Sequence, residues 1–364
     1  MRYHLQRSPA PAALDPVPDS RGEDLEGDLR WIRRYLARVH ADAWQEKYNL
    51  RRETTDLDGR PTGEWFLTPM PETVRPLEAE MTQWALGLGL HTPENVYKIA
   101  GAQLALLDVS LFMKAPLMAR ILTMDWIISV AFDDQLVEPG KPFEPYLETL
   151  PRVIRDGALP QKPDQFHLAF LDVRNEVIKA GGEAALDQWA HHRHAILAQY
   201  MWEHEWRTGG RYFTWEDYLR ASFGNGHTEQ VFLLMRMEPH SEMLPPGTPL
   251  PPELVHLHNL SSLLARFEND MLCYIRDSRD PCVNLFSVLA AEFGVTRHAA
   301  VPLAAAAHAN TQYEHDALVA AIQERHPDPL VRSHARAMSH INDCYYAWTL
   351  TCPRYSVLNG STER

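Results

Sequence analysis

The run Asp125–Glu138, DWIISVAFDDQLVE, decides how this chain is read. Its first part is almost wholly apolar, and then Asp133, Asp134 and Glu138 arrive together. Asp134 and Glu138 are spaced i, i+4 and share a helical face. Asp133 lies about 100° around the helix from Asp134. Adjacent carboxylates on an apolar helix are costly to bury unless they are neutralised. Hard divalent ions such as Mg²⁺ take oxygen ligands, commonly one or two carboxylates plus substrate phosphates. Pro139 and Gly140 follow at once, which places the acids at the mouth of a helix. Read alone, the cluster is either a metal site or a solvated helix end.

Working outward, the chain is helical in pattern almost everywhere from Arg75 onward. Apolar residues recur at helical spacing over 75–88, 93–113, 116–137, 144–156, 164–179, 183–206, 215–236, 251–277, 283–293, 296–325 and 330–350. Pro- and Gly-containing stretches such as EPGKP and EPHSEMLPPGTPLPP separate them. Thr214 followed by Asp217 is a capping signal. No segment alternates as a strand does, and no short repeat is visible. The expected fold is all-α, with about ten or more helices. Residues 1–22, rich in Pro, Asp and Ser, read as a disordered arm. Residues 23–60 read as an N-terminal helical extension, 61–356 as the main domain and 357–364 as a flexible tail.

Composition narrows the function. Lys plus Arg is 35 and Asp plus Glu is 48 in 364 residues, a net charge of −13, which speaks against a general nucleic-acid binder. The four cysteines form no C-x-x-C pair and are too few for a disulfide scaffold. No apolar run is long enough to span a membrane, and the N-terminal residues lack the apolar core of a secretory signal. A soluble cytoplasmic protein is expected. The chain holds 10 Trp, 13 Tyr and 12 Phe, which can fill a core or line a pocket for a cationic species. The run HHRH, 191–194, reads as a solvated helix face, because consecutive helical residues point in different directions.

Two further motifs stand downstream. In RFENDMLCYIRDSRD, 266–280, Asn269, Cys273 and Asp277 lie along one helical face, with Asp270, Arg276 and Asp280 beside them. Near the C terminus, Arg354 and Tyr355 follow Pro353. Arginine suits phosphate recognition through its forked donors.

Taken together and in this order, the motifs resemble those of the class I terpene synthases, in particular the single-domain microbial type. The resemblance runs from about Glu78 to Tyr355. Phe132-Asp133-Asp134-Gln135-Leu136-Val137-Glu138 is similar to the family's aspartate-rich motif, with the last acid one place later than in its plain form. Asn269-Asp270-Met271-Leu272-Cys273-Tyr274-Ile275-Arg276-Asp277 is similar to its second metal motif, N-D-x-x-S-x-x-x-E. Arg354-Tyr355 looks like its closing Arg-Tyr pair, and W-E-H-E-W followed by T-W-E-D-Y-L looks like the stretch before its kinked central helix. Three positions depart from the pattern. Cys273 replaces Ser or Thr, Asp277 replaces Glu, and Ser222 or Phe223 stands where the family has a diphosphate-sensing Arg.

The resemblance implies a helical bundle around a central active-site cavity. It implies Mg²⁺, or Mn²⁺ in its place, held by Asp133, Asp134 and Glu138 on one side and Asn269, Cys273 and Asp277 on the other. Asp133, Asp134, Arg354 and Tyr355 would be catalytic, and Arg276, Arg354 and Tyr355 would bind diphosphate. Phe112, Trp126, Phe132, Phe223, Gly226 and Trp348 are the pocket candidates. The implied reaction is ionisation and cyclisation of farnesyl or geranylgeranyl diphosphate to a terpene hydrocarbon or alcohol, a lyase reaction. A homodimer is compatible with it. The alternatives are a chain-elongating isoprenyl diphosphate synthase, or a catalytically weak isoprenoid-binding protein of the same fold.

Overall fold

One helix, Pro252–Leu272, is buried along most of its length, packed between the first helix and those of the second half of the chain. The computed structural model describes residues 24–47, 75–95, 116–142, 144–209, 213–225, 228–238, 243–279 and 283–351. In chain order the helices are α1 (Leu25–Lys47), α2 (Arg75–Leu88), α3 (Pro116–Phe132), α4 (Glu144–Asp156) and α5 (Gln165–Gly209). They continue as α6 (Trp215–Asn225), α7 (Thr228–Arg236), α8 (Pro252–Leu272) and α9 (Tyr274–Arg279). The last three are α10 (Leu285–Phe293), α11 (Arg297–Arg325) and α12 (Pro329–Thr351). A π-helical turn, Asp133–Val137, continues α3. Among the described residues there is no strand, as the sequence pattern requires.

Helix α8 buries Leu254, Leu257, Leu260, Leu263, Leu264 and Phe267. Residues at these spacings cover more than one face, which marks a central helix rather than a surface one. It packs against α11, α12, α6, α1 and α7. Helix α3 is also enclosed, with Ile121, Ile127, Ile128 and Ala131 fully buried, and it leans on α5 and α7. The two helices therefore carry their acidic ends out of the same core. Local signals set several boundaries. Asn284 and Ser287 form a capping box at the start of α10, and Gly294 closes it in the left-handed region at φ 63°.

The structure differs from the sequence reading at three joints. The expected helices 164–179 and 183–206 are two arms of one long element, kinked at Gly182 (φ 66°, ψ −160°). Only glycine adopts that conformation without a Cβ clash. The expected helix 215–236 is two helices, ending at Asn225 and resuming at Thr228. The expected helix 251–277 breaks at Cys273, whose φ −88° and ψ 7° leave the α region. Most of 93–113 lies outside the described residues, as do the arm 1–22, the boundary at residue 60 and the tail 357–364.

Helix α1 is built into the same core as the rest. Leu29, Ile32, Tyr35 and Leu36 are buried, and the helix packs on α8, α9, α11 and α12. Asp28 accepts from Tyr274 Oη at 2.6 Å and pairs with His298 Nδ1 at 2.7 Å.

Candidate functional site

The acidic end of α3 is not a regular α-helix. Glu138 N–H donates to Asp133 O at 2.9 Å, an i→i+5 bond that closes the π-helical turn. In an α-helix, residues five apart would point roughly 140° away from each other. Wider π closure brings them nearly above one another, and such turns concentrate at functional sites. The turn therefore absorbs the one-residue displacement of the last acid. Carboxylate oxygens of Asp133, Asp134 and Glu138 all lie within 4.8 Å of one another, on half-buried side chains. All donors are carboxylate oxygens, the chemistry that suits a hard divalent cation.

On the facing element, the helical ladder survives the break at Cys273. Cys273 N–H donates to Asn269 O at 2.9 Å, and Asp277 N–H donates to Cys273 O at 2.9 Å. Each link is i→i+4, so Asn269, Cys273 and Asp277 stay in register along one face. Cys273 and Asp277 are buried, and Asn269 is half-buried.

Arg276 joins the two motifs. Its Nη1 donates to Glu138 Oε1 at 3.1 Å, and its Nε donates to Asp277 Oδ1 at 2.7 Å. Burial acts to lower the guanidinium pKa, but Cys273, Asp277 and Glu138 outweigh it and raise the value. A fixed cation thus stands between acids of both motifs, and those acids present the charge that a divalent ion would also seek. Asp277 is held further by Asn284 Nδ2, which donates to its Oδ2 at 3.2 Å.

Asp270, between Asn269 and the buried Met271, faces the other way. It accepts from Tyr218 Oη at 2.7 Å and Leu285 N–H at 2.6 Å, and pairs with Arg266 Nε at 3.0 Å. Burial pushes its pKa up to about 6, Arg266 opposes this, and Asp277 adds to it. Asp270 is an internal anchor for α6 and α10 rather than part of the acidic face. Beside this anchor a small, partly open cavity is lined by Gln199, Trp202, Phe213, Tyr218, Ser222 and Arg266 among others.

One network was invisible in the sequence. Arg193 Nε donates to Asp125 Oδ1 at 2.8 Å, Nη1 to Ser129 Oγ at 2.8 Å and Nη2 to Asp125 O at 3.0 Å. Its Nη2 also pairs with Asp125 Oδ2. Trp189 Nε1 donates to Asp125 Oδ1 at 3.1 Å. Burial raises the Asp125 pKa, and Arg193 works against that rise. The expectation that 191–194 is a solvated face is corrected here, because only His191 is exposed and Arg193 is fully enclosed. Consecutive residues do point in different directions, and one of those directions is the interior. The signal available in sequence was Asp125 itself, an isolated acid inside an apolar helix, which needs a buried cation.

The other sequence-predicted residues fall partly within the described structure and partly outside it. Phe132 is enclosed by aromatic rings, with centroids of Phe166 at 5.1 Å and of Tyr146 and Tyr200 at 5.5 Å. Trp126 is buried in α3, and Phe223 is half-buried against the core. Trp348 falls within α12. Phe112, Gly226, Arg354 and Tyr355 lie outside the described residues. Among the described residues, Trp126, Phe132 and Phe223 are not part of the lining of the cavity beside Ser222.

Among the described residues, no helix is long and apolar enough to cross a membrane. No curated protein matches the chain in sequence. Solved structures do match it in fold. 2-Methylisoborneol synthase from Streptomyces coelicolor A3(2), in complex with Mg²⁺ and 2-fluoroneryl diphosphate, superposes with a TM-score of 0.65 at 18% identity. The match covers 78% of this chain and 93% of that one. The SVS_A2 protein from ancestral sequence reconstruction superposes with a TM-score of 0.65 at 17% identity, over 77% of this chain and 86% of that one. These likenesses show the helical fold of the class I terpene synthases. The family model for terpene synthase family 2, C-terminal metal binding, matches residues 126–312, just over half of the 364 residues. Its span takes in both the acid-bearing π turn and the Asn269–Asp277 face, and the chain belongs to terpene synthase family 2.

Proposed function

We propose that the protein ionises a linear isoprenyl diphosphate, farnesyl or geranylgeranyl, and cyclises it to a terpene hydrocarbon or alcohol with release of diphosphate. The observation that carries this reading is the tie between the two acidic motifs, Arg276 to Glu138 at 3.1 Å and to Asp277 at 2.7 Å. Motifs that share one cation in this way face the same volume.

Asp133, Asp134 and Glu138 hold divalent ions on one side of that volume, and Asn269 and Asp277 hold them on the other. The donor set is mostly carboxylate and amide oxygen, which fits Mg²⁺, with Mn²⁺ as a substitute. The Cys273 thiol is a soft donor and contributes least to this side. When bound, the ions supply Lewis-acid stabilisation of charge developing on the departing diphosphate. Arg276 exchanges its carboxylate partners for diphosphate oxygens, joined by Arg354 and Tyr355. Apolar and aromatic residues keep water from the allylic cation and present ring faces to it.

The test is incubation of the full chain with geranyl, farnesyl and geranylgeranyl diphosphates, with Mg²⁺ or with EDTA, followed by analysis of hexane extracts. A terpene formed only with the metal supports the reading. No terpene from any substrate overturns it, and accumulation of longer diphosphates replaces it with chain elongation.

A further inference from the structure

A second cluster of metal-competent side chains lies on a different face of α8. Glu268 is the residue before Asn269, but adjacent residues on a helix point about 100° apart, and Glu268 faces α1 and α11 instead. His40 Nε2, from α1, lies 2.9 Å from Glu268 Oε1. His308 Nε2, from α11, lies 3.1 Å from the same oxygen. The three donor atoms all lie within 4.8 Å of one another, and all three side chains are buried.

The hydrogen bonding around His308 determines which nitrogen is available. Tyr35 Oη donates to Ala305 O at 2.9 Å, since a carbonyl can only accept. The same phenol oxygen lies 2.9 Å from His308 Nδ1. A phenol has one proton. With it given to Ala305 O, the oxygen accepts from His308 Nδ1–H. In the neutral ring Nε2 is then the lone-pair nitrogen, and it points at a carboxylate oxygen. Two lone pairs converging at this distance need a positive charge between them.

We propose that His40, Glu268 and His308 form a structural site for a borderline divalent ion of the Zn²⁺ class, clamping α1 to α8 and α11. Two imidazoles and a carboxylate are a recurrent zinc donor set. Metal–ligand distances of about 2.0–2.1 Å place tetrahedral donors roughly 3.3 Å apart, close to the 2.9 and 3.1 Å between the two histidine nitrogens and Glu268 Oε1. A hydrogen-bond partner on the far ring nitrogen, the role of Tyr35 toward His308, is the usual support of a ligating histidine. Imidazole nitrogen selects against Mg²⁺, so this site and the acidic one take different ions.

The experiment uses the full chain, stripped with chelator and reloaded with Zn²⁺ or Co²⁺ in the presence of excess Mg²⁺. After dialysis, elemental analysis is expected to find one Zn²⁺ per chain, and the Co²⁺ form is expected to show visible ligand-field absorption. Both are expected to persist in Asp134→Asn and to be lost in His40→Ala and in His308→Ala. Should either histidine variant fail to fold, X-ray absorption on the wild-type Zn²⁺ form decides, with imidazole scattering expected. A wild-type chain that retains no Zn²⁺ and gives no Co²⁺ absorption overturns the proposal in favour of a triad held together by protons alone. Metal lost in Asp134→Asn but kept in both histidine variants also overturns it.

Discussion

Arg276 Nη1 lies 3.1 Å from Glu138 Oε1, so a residue of the second acidic motif holds the last acid of the first across 138 positions of sequence. On the proposed function, replacement by alanine removes a cation that would compete with divalent ions for Glu138 and Asp277. Arg276→Ala is expected to bind Mn²⁺ more tightly without substrate, read by titration calorimetry. Turnover is expected to fall about tenfold or more, because the proposed function gives Arg276 a charge-assisted hydrogen bond to diphosphate. Unchanged Mn²⁺ affinity together with unchanged turnover would count against both roles.

The π turn at Asp133–Val137 makes a separate prediction. With Asp133 and Glu138 on one face, Asp133→Ala and Glu138→Ala should each raise the Mg²⁺ concentration needed for half-maximal turnover. In a regular α-helix Glu138 would stand beside Asp134 but point away from Asp133, and the two removals would then differ in effect. Mg²⁺ activation curves for the two variants, measured side by side, distinguish these cases.

Cys273 is buried and offers sulfur where an oxygen donor would suit Mg²⁺ better. Cys273→Ser is expected to lower the Mg²⁺ requirement, and Cys273→Ala to leave it nearly unchanged. An alanine variant with a sharply raised requirement would show that the thiol itself ligates.

The Asp125–Arg193 pair is enclosed, with side-chain exposures of 2% and 1%. Removing one partner strands a buried charge. Arg193→Met is expected to cost about 3–5 kcal/mol of stability. Denaturant unfolding measures this directly, and a loss below 1 kcal/mol would mean that water reaches Asp125.

Buried neutral histidines set an acid limit on the fold. Burial, and then the Arg236 charge, lower the His334 pKa to about 3, and burial and nearby positive charge lower His192 to about 4. His258, 3.2 Å from His334, is lowered too. The unfolded chain takes up these protons below the ordinary histidine pKa of about 6.5 and the folded one does not. Stability therefore falls as pH drops from 6.5 toward 3. His334→Gln, which keeps an acceptor for Leu244 N–H, should flatten part of that slope in urea unfolding at pH 5 and pH 7.

The helical class, most helix boundaries and both acidic motifs were legible in the sequence, because apolar periodicity and i, i+4 spacing are local properties of a chain. Asp133, Asp134 and Glu138 could be named as a group for that reason. Their geometry could not, since a π turn depends on where Val137 is buried and what holds it. The pairing of Arg276 with Glu138, of Arg193 with Asp125, and of His40 and His308 with Glu268 was also beyond reach. Each joins residues far apart in sequence, and packing alone brings them together. Spacing assigned HHRH to solvent because it reads which way residues diverge, not which direction leads inward. By itself the sequence determined the helices and the residues able to do metal chemistry. The tertiary structure decided which of those residues meet, because a buried charge is stable only beside a partner that the folded core supplies.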